Sequence, residues 1–124
     1  MKEIPVRRIT AETPLNVEIH RPGDFQYQDV GYNPIDDPLQ AIKEDYASGS
    51  GGLARFAFVC PRLGILCSHG SGLIIGYKEK PNFKPTWAWN GNIEKPSLTP
   101  SINCSFNGKC LWHDYVTDGK FLKV

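Results

Sequence analysis

At 124 residues with 40% hydrophobic content and three tryptophans, the chain is long enough to bury one core and too short for two comfortable domains. A formal net charge of +1 gives no general pull toward nucleic acid or an anionic membrane. No apolar stretch approaches the roughly 18 residues of a membrane span, and no apolar run follows Lys2, Glu3, Arg7 and Arg8, so neither a span nor a signal peptide is expected and the expected setting is the cytoplasm.

The first 35 residues hold short β-prone pieces such as 15–19, broken by Pro5, Pro14, Pro22, Gly23, Gly31 and Pro34, which predicts short strands and loops behind a loose N-terminus. A short helix is predicted near residues 38–47. Asp36 or Asp37 can cap it, Pro38 suits its first position, and Leu39, Ile42 and Tyr46 recur at helical spacing. The run Ser48-Gly49-Ser50-Gly51-Gly52 stops it. That joint divides an acidic N-terminal arm, residues 1–52, from a cysteine-bearing β part, residues 53–124, the two forming one compact domain. The arm carries five Lys/Arg against nine Asp/Glu, the remainder nine against four.

From Leu53 onward the pattern is β. Phe56, Phe58 and Cys60 alternate with Arg55, Ala57 and Val59, and Pro61 ends the run. Further strands are predicted at 73–78, 86–89, 101–106, 109–117 and 120–124. Asn107-Gly108 and Asp118-Gly119 both suit a type I′ turn, so the last three strands form a meander. The expected fold is mainly β (α+β), a small antiparallel sheet with one short helix.

All four cysteines and two of the three histidines lie in the β part, spaced Cys60-x6-Cys67-x-His69 and Cys104-x5-Cys110-x2-His113. In a reducing compartment such a set favours zinc over disulfides, because zinc takes thiolate and imidazole in a tetrahedron. The preferred ligands are Cys60, Cys67, Cys110 and His113, with Cys104 and His69 as substitutes. Four protein ligands leave no open position, which makes the ion a structural staple. Cys110 and His113 would face opposite ways on a straight strand, so this set requires a bulge at Leu111-Trp112. Two competing readings remain: buried cysteines with satisfied histidines, or disulfides pairing Cys104 with Cys110 or Cys60 with Cys67.

Other chemistry is less marked. Trp87 and Trp89 with Lys78, Lys80 and Lys84 form a surface suited to stacking bases and tracking phosphates, although tryptophans two apart on a strand equally suit a core. Gly70-Ser71-Gly72 lacks the full glycine-x-serine-x-glycine elbow, and no phosphate-loop motif follows Gly49 to Gly52. No catalytic residue is assigned. Asp114 beside His113 is expected to be a solvated carboxylate facing away from it.

The segments Phe58-Val59-Cys60-Pro61 with Cys67, Trp87-Ala88-Trp89-Asn90-Gly91-Asn92, Lys95-Pro96-Ser97-Leu98-Thr99-Pro100-Ser101-Ile102, Cys110-Leu111-Trp112-His113 and Thr117-Asp118-Gly119 together resemble a small phage and prophage family of unknown function, some members of which are labelled ammonia monooxygenase. The resemblance covers about residues 56–121 and implies a metal site at Cys60, Cys67, Cys110 and His113. The function expected from it is that of a non-enzymatic, zinc-stabilised phage-type accessory protein. Such a protein would act in the host cytoplasm, binding a host or phage protein to counter a defence system. The alternatives are a metal-dependent hydrolase with an open zinc position and a single-stranded nucleic-acid binder.

Overall fold

The computed structural model describes residues 3–10, 12–16, 18, 20–29, 31–40, 42, 53–62, 73–77, 87–106 and 109–123, with 53, 77, 104–106 and 109–111 described in backbone only. Nine strands run through them: β1 (Ile4–Pro5), β2 (Arg7–Arg8), β3 (Asp24–Gln28), β4 (Leu53–Phe58), β5 (Leu73–Tyr77), β6 (Trp87–Trp89), β7 (Leu98–Phe106), β8 (Lys109–Thr117) and β9 (Lys120–Lys123). They form one sheet in the order β1-β9-β8-β7-β6-β5-β4-β3-β2. Its two outermost strands are separated in sequence by Val6 alone, so the sheet curls round until it is nearly closed into a barrel. Val6 N–H donates to the Gly119 carbonyl on one side of the seam, and Arg7 N–H to the Gly23 carbonyl on the other. Residues 4–8 therefore do not trail from the domain; they leave neither edge of the sheet as a bare row of unpaired backbone groups.

The alternation read from the sequence sets the barrel interior. Phe25 and Tyr27 of β3 pair with Phe58 and Phe56 of β4. Inward positions continue round through Ile75, Trp89, Ile102, Val116 and Phe121, each at most 1% exposed. Aromatic rings carry much of the filling: Phe25 stacks on Phe56 with centroids 5.0 Å apart, and Phe58 meets Phe121 at 5.5 Å and Trp112 at 6.1 Å. Burying side chains of this size contributes about 1.5–3 kcal/mol each, which explains how a short-stranded barrel holds together.

The C-terminal meander is as expected: β7, β8 and β9 pair antiparallel in sequence order. Asp118 and Gly119 take the positive φ values, 50° and 77°, that a type I′ turn needs. Two pairings depart from an antiparallel sheet, because β2 with β3 and β5 with β6 run parallel. Helix is confined to residues 38–40 and 42 among those described, with Gln40 N–H capped by Asp37 at 3.1 Å and Ile42 buried against the core. The rest of the predicted helix, the glycine-serine joint and the Asn107-Gly108 turn lie outside the described residues. The stretch 15–19 contributes no strand among its described residues; Leu15 lies against β3, its N–H donating to Gln26 Oε1.

Candidate functional site

Of the four cysteines, Cys60 alone is described with its side chain. Cys60 is fully buried and packs in the apolar core with Phe58 and Trp112. Cys67 and His69 lie outside the described residues, and Cys104 and Cys110 are described in backbone only. The bulge that the ligand set required does exist. The pairing Cys104 with Trp112 passes directly to Ser105 with Cys110, leaving Leu111 as an extra residue in β8.

His113 is engaged elsewhere. Its Nε2 lies 2.6 Å from the Oγ of Ser101, a short hydrogen bond between half-buried side chains on neighbouring strands. Both elements explain the approach. On β8, Trp112, Asp114 and Val116 point into the barrel, so the alternate residues His113 and Tyr115 stand on its outer surface. On β7 the register slips. Leu98 pairs with Val116 and Ile102 with Asp114, so Thr99, Pro100 and Ser101 together face the single residue Tyr115. Pro100 has no N–H to give to a ladder and belongs at such a bulge. The bulge carries Ser101 out of the regular ladder and delivers its hydroxyl to His113. Beneath, the Trp87 indole N–H donates to the Ser101 carbonyl at 3.4 Å, tying the backbone of Ser101 to the core.

Asp114 faces the opposite way from His113, as adjacent strand residues must, yet it is not a solvated carboxylate. It is fully buried and bridged by Arg62, whose Nη2 lies 2.7 Å from Oδ2 and Nε 3.3 Å from Oδ1. The outward register partner of His113 is the exposed Asn103. Loop 90–97, between β6 and β7, is braced by its own hydrogen bonds. Asn90 Oδ1 accepts the N–H groups of Asn92 and Ser97, and the Ser97 hydroxyl accepts Asp118 N–H at 2.7 Å.

A serine hydroxyl held within hydrogen-bond reach of an imidazole is the starting arrangement of nucleophilic catalysis: the ring can take the hydroxyl proton as the oxygen attacks. Sequence reading assigned His113 to a metal and passed over Ser101. The local signal was a proline inside a strand followed by serine; what joins the pair is the β7–β8 register, which no local motif displays.

A protein-family model described as the bacterial ubiquitination-like system serine protease, BubE, matches residues 33–124. That is more than half of the chain, and the chain belongs to this family. No curated protein and no solved structure matches. The family match overturns the expectation of a non-enzymatic, zinc-stabilised phage-type accessory protein with an anti-defence role, since the family is one of serine proteases. Among the described residues no group of three or more His, Cys, Asp or Glu side chains could hold a metal ion. The nucleic-acid alternative loses its stacking platform: Trp87 and Trp89 are core residues, 7% and 1% exposed, while Lys78, Lys80 and Lys84 lie outside the described residues. Among the described residues no helix is long and apolar enough to cross a membrane.

Proposed function

We propose that this member of the BubE family hydrolyses amide bonds in protein substrates of a bacterial ubiquitination-like system, with Ser101 as nucleophile and His113 as general base and acid. The observation that carries the reading is the 2.6 Å contact between the half-buried Ser101 Oγ and His113 Nε2 on the outer face of the sheet, in a chain whose family is one of serine proteases.

For His113 to act as base, Nε2 must accept the Ser101 proton, which places the ring's own proton on Nδ1. Ser101 Oγ attacks the scissile carbonyl while its proton passes to Nε2. The C–N bond then breaks as that proton moves to the departing amine, leaving an acyl group on Ser101. Water enters where the amine left and gives its proton to the same Nε2. Its oxygen attacks the ester, and the serine leaves with that proton restored. The β7 bulge and the Trp87 hydrogen bond hold the hydroxyl in place before substrate arrives, which is the condition for orientation to accelerate the reaction. A ubiquitination-like system handles proteins, so the partner expected at this face is a protein presenting an extended segment.

The test is hydrolysis of fluorogenic peptide amides and of an unfolded protein substrate by the full chain. Ser101→Ala and His113→Ala should each lower kcat/KM by about 10⁴ or more, with an unchanged far-ultraviolet circular dichroism spectrum. Ser101→Ala that retains wild-type turnover would refute the assignment.

A further inference from the structure

Tyr115 is 46% exposed, on the outer face of β8 two residues beyond His113. The only other large hydrophobic side chain so exposed among the described residues is Tyr32, at 51%. Tyr32 has a partner, because the Arg55 guanidinium lies 4.1 Å over its ring. Tyr115 has neither a ring partner nor a hydrogen bond among the described residues, so none of those residues accounts for its exposure. Its position is equally particular: it is the single β8 residue opposite the three-residue bulge that carries Ser101. Its register partner on the other side is Leu122 of β9, which is half-buried. Ser101 is thus flanked along β8 by His113, which it touches, and by Tyr115 about 7 Å further along the strand.

The chemistry assigns the two flanks to different halves of a substrate. The departing amine must lie toward His113, because Nε2 delivers its proton there. The residue that supplies the scissile carbonyl then lies on the opposite flank, toward Tyr115. We propose that Tyr115 and Leu122 form a specificity shelf that selects an apolar side chain on the residue contributing the scissile carbonyl. The selection works by burial: such a side chain removes the exposed ring and its own surface from water, whereas glycine offers nothing to bury. This inference rests on the assignment of Ser101 and His113 as the catalytic pair.

The experiment uses the full chain and two peptidyl thioesters that differ only in the acyl residue, leucine in one and glycine in the other. The readout is the ratio of their kcat/KM values. The wild-type protein should favour leucine. Tyr115→Ala should reduce the ratio about tenfold, chiefly through KM for the leucine ester, while Tyr115→Phe keeps it. Tyr32→Ala, which alters the other exposed aromatic residue, should leave both hydrolysis and the ratio as they are. Hydrolysis that depends on Ser101 but shows a leucine-to-glycine ratio unmoved by Tyr115→Ala overturns the shelf and leaves the catalytic pair standing. Hydrolysis of either ester that does not need Ser101 overturns both.

Discussion

Asp114 and His113 are neighbours in sequence with opposite surroundings. The histidine stands outside the barrel against a serine; the aspartate lies inside it, wholly buried and bridged by an arginine 52 residues away. A buried carboxylate is costly unless its charge is matched, and removing one partner of such a pair typically costs about 3–5 kcal/mol. Arg62→Met should therefore destabilise the protein by an amount of that order, visible as a lower denaturation midpoint in urea. The double change Arg62→Met with Asp114→Leu should recover much of the loss, because no unpaired charge is left behind. A single variant as stable as the wild type would mean that water already solvates Asp114. The opposite facing of the two residues was legible in the sequence, since it follows from strand geometry. The burial of Asp114 was not: no local pattern connects it with Arg62, which reaches it from just beyond Pro61.

At the level of elements, the strands were the most legible part. Alternation in 53–58 and the Asp118-Gly119 turn predict β4 and the β8–β9 hairpin close to where they lie. Trp87 and Trp89 sit two apart and face inward together, as a core strand would place them. The bulge at Leu111 was anticipated because Cys110 and His113 could share a face only with an extra residue between them. The second slip, between Leu98 and Ile102, was not anticipated, and it is the one that makes the site. A register shift is a property of two strands at once. Pro100 within β7 is its local trace, readable as a strand end just as well as a bulge. Ser101 and His113 both stand in motifs that sequence reading singled out, Thr99-Pro100-Ser101-Ile102 and Cys110-Leu111-Trp112-His113, yet their partnership emerges only when β7 and β8 are paired. The cysteine spacing drew attention to the same strands for a different chemistry.

For the molecule as a whole, closure depends on a short N-terminal segment holding both edges of the sheet. At the β2–β3 edge the closure is also electrostatic: Arg7 Nε and Nη2 donate to the two carboxylate oxygens of Asp24 at 2.9 and 2.6 Å. Burial pushes the Asp24 carboxyl up, but hydrogen bonds from Arg7 and the Arg21 amide, with the charge of Arg7, outweigh it and hold the carboxyl below its ordinary range. A carboxyl depressed on folding stabilises the fold above its unfolded value, about pH 4, and that stabilisation is lost as the pH falls through the lower folded value. Asp24→Asn should accordingly melt at a lower temperature than the wild type at pH 7, and the gap should narrow as the pH drops below about 4. An equal gap at pH 7 and pH 3 would show that the seam does not depend on this charge.

The barrel matters to function because it fixes β7 against β8, and with them one hydroxyl against one imidazole. The most direct test of that claim is to treat the intact protein with a fluorophosphonate and locate the adduct by mass spectrometry. The account predicts a single adduct on Ser101, formed in the wild type and lost in His113→Ala. An adduct on another serine, or none at Ser101 in protein that cleaves its substrates, would contradict it.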